Sequence, residues 1–351
     1  MIGAARAPIE WRKELWGSPL RAVFTVVLVA AFAWGGLHLL EWALVHAVFR
    51  ADAEACRAVP HGACWGVIAE KWRPILFGRY PYEDQWRPAV AVVALSLTTM
   101  LSAWPRIWRW WLLPVWLVSL VFFLVLMRGG VLGLESVPTN RWGGLPLTIG
   151  LAVVGLALAF PLSLALALGR RSQWPVVRTL CATYIELVRG VPLISVLFMA
   201  SFLLPLLWPA GWQPDVLLRV LAGLSLFVAA YLAEIIRGGL QAVPRGQTEV
   251  AMALGFGRWP VQRDIVLPQA LRLVVPALTN SVVGTLKDTS LVTVVGLFEL
   301  TGALGLALGG DPTWRPFYLE GYLFIALVYW VLCFGLSRYS AWLERRLASA
   351  P

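Results

Sequence analysis

Glu186, Arg189, Glu234, Lys287, Asp288, Thr289 and Ser290 lie within or beside long apolar runs, where an ionised side chain is expensive to keep. A cation and a carboxylate in such surroundings have one obvious chemical use. They supply partners for the two ends of a zwitterion that must otherwise leave water bare. Glu186-Leu-Val-Arg-Gly190 and Glu234-Ile-Ile-Arg-Gly238 repeat one spacing, with Tyr231 just before the second. Glu and Arg at i and i+3 share a helix face, so each pair is expected to neutralise itself. Lys287 and Asp288 interrupt an apolar run that begins near Leu273. Charge compensation with a helix break and contact with a translocated ligand both remain open for this pair.

A second polar insert is EVAMALGFGRWPVQRDIVLP, Glu249 to Pro268, again between apolar runs. Pro244 suits a helix N1 position, and Glu249 to Leu254 continue the helix with good helix formers. Gly255 ends it in the left-handed conformation. Pro260 starts a second helix and Pro268 the next. The expected shape is a helix, a corner and a helix, offering Phe256, Trp259 and charged neighbours to a cleft on a partner.

The elements that hold these residues are set by hydropathy. Of the 351 residues 59% are hydrophobic and only 14% charged, with a mean hydropathy of +0.74. That is too little charge for a chain facing water on all sides. The expected class is all-α, polytopic in a lipid bilayer, with about eight crossings. They are Ala22–Phe49, Ala89–Ala103, Trp111–Leu126, Leu145–Leu168, Tyr184–Trp208, Leu217–Ile236, Leu273–Val295 and Tyr322–Leu336. The first is too long for a cleaved signal core and reads as an anchor.

The net charge of +10 has no nucleic-acid motif behind it. Basic residues gather instead between apolar runs: Arg106 and Arg109, Arg170, Arg171 and Arg178, those around the 244–268 insert, and Arg338, Arg345 and Arg346 in the tail. The positive-inside rule places these and both termini in the cytoplasm. The expected domains are a cytoplasmic N-terminus at 1–21, a three-helix extension at 22–137 with an outer loop at 50–88, a five-helix core at 144–342 and a tail at 343–351.

Cys56 and Cys64 share the outer loop with His61. A disulfide, two unpaired thiols or a three-ligand metal site are all open, the disulfide being favoured if the loop meets an oxidising compartment. Cys181 and Cys333 read as packing residues. His38, His46 and His61 are not paired at ligand spacing, so no catalytic or metal site is expected.

The insert then carries a resemblance. Glu249-Val250-Ala251, Gly255 and Ile265-Val266-Leu267-Pro268 keep the full spacing of the EAA signature of ABC importer permeases, with valine where alanine is usual. Tyr184 to Leu193 resembles the "YVELxRGTPL" segment of the polar amino-acid branch, with Val191 in place of threonine. Tyr231 to Gly239, Gly246-Gln247 and Leu286 to Leu291 resemble the same branch. Resemblance covers about Gly144 to Trp342. The extension, with Gly62-Ala-Cys-Trp65 and Tyr80-Pro-Tyr-Glu83, looks like the M-type permease subunit of general L-amino-acid transporters.

The resemblance implies a type I importer core in a bacterial inner membrane. It implies a related but non-identical second permease subunit, a cytoplasmic ABC ATPase dimer and a periplasmic binding protein that delivers an L-amino acid. No GxxxxGK[ST] loop is present, so ATP and Mg are expected on the ATPase and no cofactor on this chain. By the family pattern Glu249 and Gly255 fix the corner, and Arg258, Trp259, Gln262, Arg263 and Asp264 lie on the helix that enters the ATPase. Ala251, Ile265, Leu267 and Pro268 complete the coupling set. The alternative is an ion-coupled transporter with Glu186 and Glu234 as proton relays. It leaves the signature unexplained.

Overall fold

The computed structural model describes residues 15–102, 111–209 and 214–348. The expectations for residues before Leu15, for Ala103, Arg106 and Arg109, for part of the link after Trp208 and for the last residues of the tail lie outside them. The chain divides into two compact units between Glu70 and Lys71. Apart from isolated bridges, the described residues form helices, turns and irregular links.

The first unit holds α1, Pro19–Val45, whose start is capped by the Ser18 side chain and none of whose residues is buried. An apolar helix with no buried face suits lipid on all sides. After it, Asp52 caps the short α2, Ala53–Ala58, by accepting from the Glu54 and Ala55 amides. Cys56 on α2 is disulfide-bonded to Cys64, with Cα atoms 5.4 Å apart. No group of ligands fit for a metal occurs among the described residues. The helix α3, Gly66–Phe77, runs across the division.

The second unit is built round α9, Val216–Ala242, flanked by α6, Gly144–Gly169, and α11, Arg258–Val295. The remaining elements are α4 (Trp86–Ser102), α5 (Leu112–Arg128), α7 (Pro175–Arg189), α8 (Leu193–Leu207), α10 (Arg245–Ala253), α12 (Leu300–Gly309) and α13 (Tyr318–Ala348). Small residues let the helices approach. A Cβ at Gly223 would lie 3.0 Å from that of Ala200, and one at Gly239 only 2.6 Å from the Ala270 carbonyl. Lipid tails are as apolar as leucine, so close packing rather than exclusion from water drives such contacts.

The expected count of eight crossings is not confirmed among the described residues. Five described helices are long and apolar enough, or six if α7 and α8 are one broken span. The fifth expected crossing, Tyr184–Trp208, is two helices at 106°. Gly190 ends the first and Pro192 caps the second, and the intervening Val191 is pushed out of helical geometry by the proline that follows. The described parts of α4 and α5 have 17 residues each, about 26 Å of helix against a hydrocarbon thickness of about 30 Å. The short helix α12 lies where no element was expected.

Residues of α4 and α5 share one core with α6, α8 and α9, including Leu95, Phe123, Met127, Leu151, Leu197 and Leu224. Arg87, fully buried, secures the end of α5. Its Nε donates to the Leu126 carbonyl and its Nη1 to that of Glu135, each at 2.9 Å. The Tyr80 hydroxyl donates to the Leu126 and Met127 carbonyls at 3.2 and 3.0 Å. These are carbonyls a helix C-terminus leaves free. Burial pushes the Tyr80 phenol up to about 12, so it remains a donor. Gly129 turns the chain here with φ +65°, and a side chain there would meet the Arg87 guanidinium.

Arg87→Met should therefore lower stability by about 1–3 kcal/mol, because it strands the Glu135 carbonyl and leaves that of Leu126 to Tyr80 alone. Thermal unfolding of the detergent-purified protein reads this, and a change within about 0.5 kcal/mol would contradict the clamp. A second prediction concerns Asp311, outside the spans, whose carboxylate accepts from Lys71 Nζ at 2.7 Å. The Lys71 hydrogen bond holds its pKa below the ordinary value of 3.8. The stability this contributes is present above that value and is lost as pH falls through the lowered one. Asp311→Asn should flatten the pH dependence of unfolding in that acid window, by lowering stability at neutral pH and leaving it unchanged below the window.

Candidate functional site

The polar insert forms the expected helix, corner and helix. Pro244 is the cap residue of α10 rather than its first turn, since its ψ of 134° is extended. Gly255 follows the helix at φ +86°. Its amide donates to the Met252 carbonyl at 3.0 Å, and the Phe256 amide reaches back to that of Ala251 at 3.2 Å. Those two bonds define a Schellman stop, which needs a left-handed residue at its centre. Nothing lies within 4 Å of a Cβ placed on Gly255, so glycine is required there by backbone conformation alone.

Ala251 is buried against a cluster that includes Val261 and Val266, which explains why this face needs a small residue. Gln269 on α11 donates to the Gln247 side chain of α10 at 2.6 Å and to the Ile265 carbonyl at 2.8 Å. Glu249 is exposed and makes no side-chain hydrogen bond among the described residues, so Gly255, Ala251 and the glutamine pair fix the corner instead. The second helix does not stop at Pro268. It passes through a π-helical stretch, Val261–Val266, and continues as α11. An extra residue per turn loosens the local ladder, which is how a helix accommodates a proline without an amide.

Val250, Met252, Leu254, Phe256 and Trp259 are exposed, Leu254 at 73% and Trp259 at 62%. Val250, Leu254 and Phe256 line a groove of about 400 Å³ with Gly246, Gln247, Ala251 and Ile265. Arg258 and Pro268 are also exposed, Gln262 and Leu267 half-buried, and Arg263 is paired with Asp264 at 2.7 Å. Apolar side chains are thus held outward on a rigid, charged corner.

The charged residues at 186–189 and 234–237 belong to a network that the sequence spacing only half describes. Glu234 takes Arg237 as expected, through Nε at 2.9 Å and through Nη2. Glu186 does not pair with Arg189. It accepts from Arg170 at 2.7 Å, and the same guanidinium reaches Glu234 at 3.2 Å. Arg189 turns to α9, 3.9 Å from Glu234, with its guanidinium 5.6 Å from the Tyr231 ring. The Tyr231 hydroxyl donates to the Arg189 carbonyl at 3.4 Å. Glu186, Arg189, Tyr231 and Glu234 are therefore one site, gathered by Arg170. As an arginine just past an apolar helix, Arg170 looks in sequence like any topology signal.

No hydrogen bond or ion pair among the described residues joins this cluster to Lys287–Ser290. There α11 passes from α-helix to a 3₁₀ stretch, Thr289–Val295. Lys287 is exposed, Asp288 and Ser290 half-buried, and Thr289 buried with its hydroxyl donating to the Leu286 carbonyl at 2.7 Å. Nearby is a residue the sequence reading missed. Glu299 is fully buried at the start of α12 and is bound by groups of α6, α11 and α13. Glutamate is an unusual cap, so its spacing carries no signal.

Residues 159–349 match the family described as binding-protein-dependent transport system inner membrane component. The chain belongs to this family. It is 43% identical to the inner membrane amino-acid ABC transporter permease YhdY of Escherichia coli (strain K12), over 98% of this chain and 94% of the relative. It is 36% identical to the glutamate/glutamine/aspartate/asparagine transport system permease BztC of Rhodobacter capsulatus, over 97% and 93%. A crystal structure of an amino acid ABC transporter with histidines shares 31% identity and a TM-score of 0.52, covering 57% of this chain and 90% of that one. The chain is thus a multi-pass inner-membrane permease component with a type I importer core. Such a component works with an ATPase and a binding protein.

Glu234→Gln leaves three guanidinium groups short of one carboxylate and should lower stability by about 1–3 kcal/mol. Glu186→Gln, at a more exposed position, should change it by less than about 1 kcal/mol. Unfolding in detergent compares them, and equal effects would contradict the central place of Glu234.

Proposed function

We propose that this chain is one of two pore-forming subunits of an ATP-driven importer of L-amino acids. Its second permease is a related, non-identical chain, and the amino acid arrives on a periplasmic binding protein. Residues 144–342 form the permease core and 22–137 its extension, with both termini in the cytoplasm. ATP and Mg act on a separate ATPase dimer; this chain binds no cofactor of its own. The observation that carries the reading is the corner at Gly255, which holds Phe256 and Trp259 outward on two helices tied together by Gln247 and Gln269. Since α11 continues from the corner into the core, a push on Arg258–Asp264 is passed towards Lys287–Ser290 along one helix, past its π-helical stretch at Val261–Val266 and Pro276.

Lys287 and Asp288 offer opposite charges to the two ends of a zwitterion, and Thr289 and Ser290 offer hydroxyls. That makes the helix break a part of the translocation path. The arginine cluster around Glu186 and Glu234 lies further along the same route. Both carboxylates are paired with Arg170, which disfavours them as free proton relays and so disfavours the ion-coupled alternative.

Gly255→Asp forces a side chain into the left-handed region, at a local cost of roughly 1–2 kcal/mol, and turns Phe256 and Trp259 away. The expected outcome is normal membrane insertion with uptake and substrate-stimulated ATPase activity both lost in proteoliposomes. Wild-type values for both would refute coupling through this corner.

A further inference from the structure

Among the described residues, Leu132 is the one residue other than glycine with a positive φ, at +55°. Leu132 and Gly133, at φ +74°, are the central residues of a turn, closed by the Leu134 amide donating to the Val131 carbonyl at 3.0 Å. Glycine, asparagine or aspartate is usual at the first of these positions, because a Cβ there crowds the following carbonyl. Packing among the described residues does little to offset this, since the Leu132 side chain is 88% exposed and Val131 beside it 50%. The turn is nonetheless held firmly. The Gly130 amide donates to the Leu134 carbonyl at 2.9 Å, and the Val137 amide to that of Arg128 at 2.7 Å. Beneath them Arg87 holds the Glu135 carbonyl, and the Trp142 indole donates to that of Val137 at 3.2 Å.

The turn lies at the end of the core opposite the Gly255 corner, because α6 and α9 run side by side in one direction. Thr139, just before α6, donates to Asp215, the cap of α9, at 2.5 Å, and a Cβ on Gly155 would meet Leu224. At their other ends Arg170 reaches Glu234, and Arg171 donates to the Leu240 carbonyl at 3.0 Å. From there α9 leads into α10 and the corner. The exposed flanks of the turn are Arg128, Glu135 and Arg141. An apolar tip inside a charged rim has the make-up of a protein contact, and a loop already fixed loses little freedom on binding. Flanks carrying both signs of charge do not suit a hydrocarbon layer. We propose that Val131 and Leu132 are the docking tip for the periplasmic binding protein, filling a leucine-sized apolar pocket on it that is rimmed by charge. This rests on the reading of the chain as an importer subunit whose substrate arrives on a binding protein at the face opposite the ATPase.

The test is a titration of the purified permease–ATPase complex with a periplasmic amino-acid-binding protein, in detergent and in liposomes. The probe is the binding protein of the source cell that stimulates the ATPase activity of the wild-type complex. Leu132→Gly suits the turn better than leucine does, so it removes the side chain without endangering the fold. It should leave thermal stability no lower than wild type and raise Kd about 10- to 100-fold in both media, the loss of one buried leucine contact. Leu132→Met, of similar volume, should raise it far less. An unchanged Kd for Leu132→Gly would overturn the proposal. So would a rise confined to liposomes, which would assign the side chain to lipid. If no binding protein stimulates the wild-type complex, the importer reading falls and the docking role with it. If one does, and Leu132→Gly binds it as tightly, the docking role alone falls.

Discussion

A hydrocarbon layer has no water to complete a broken hydrogen-bond set, so each polar group placed there must find its partner within the protein. Arg87, Glu234 and Glu299 show three solutions. Arg87 is a cation held by backbone carbonyls at a helix end, with the Asp84 carboxylate 3.6 Å from its Nη1. Glu234 is a carboxylate among arginines from three segments. Glu299 is a carboxylate held by amides and hydroxyls alone. In each case the polar group sits where several elements meet, and its needs determine how they are spaced.

The same constraint separates the rigid parts from the movable ones. Where α9 lies between α6 and α11, small residues bring backbones into contact and few polar groups are involved. Breaks occur where a backbone rule prevents continuation: at Gly190–Pro192, at Gly255, and at the passage into 3₁₀ geometry after Asp288. Each break carries exposed or paired polar side chains. The helix α11 starts just after the Gly255 corner and runs, through a π-helical stretch and past Pro276, to the break at Thr289.

How much was legible in the sequence varies with the range of the interaction. Gly255 as a left-handed stop could be read from local rules, because the Schellman bonds connect residues at most five apart. The long apolar helices α6, α9 and α13 were legible for the same reason. The break of α7 and α8 was visible as Gly-Val-Pro, yet hydropathy averaged across it and suggested a single span. The pairing of Glu186 with Arg189 was a reasonable local inference that lost to a partner on another element. Arg170, 16 residues before Glu186 and 64 before Glu234, had no local sign of its role.

By itself, then, the sequence determined the class of the chain, its long apolar helices, its glycine corner and the signature that relates it to importer permeases. All of these depend on composition or on contacts within a few residues. Only the tertiary structure decided which charges meet, that Arg87 and Tyr80 close the end of α5, and that Glu299 joins α6, α12 and α13. Electrostatic and hydrogen-bond partners are chosen by distance in space and by the lack of any competing water. Neither is encoded in the spacing of residues along the chain.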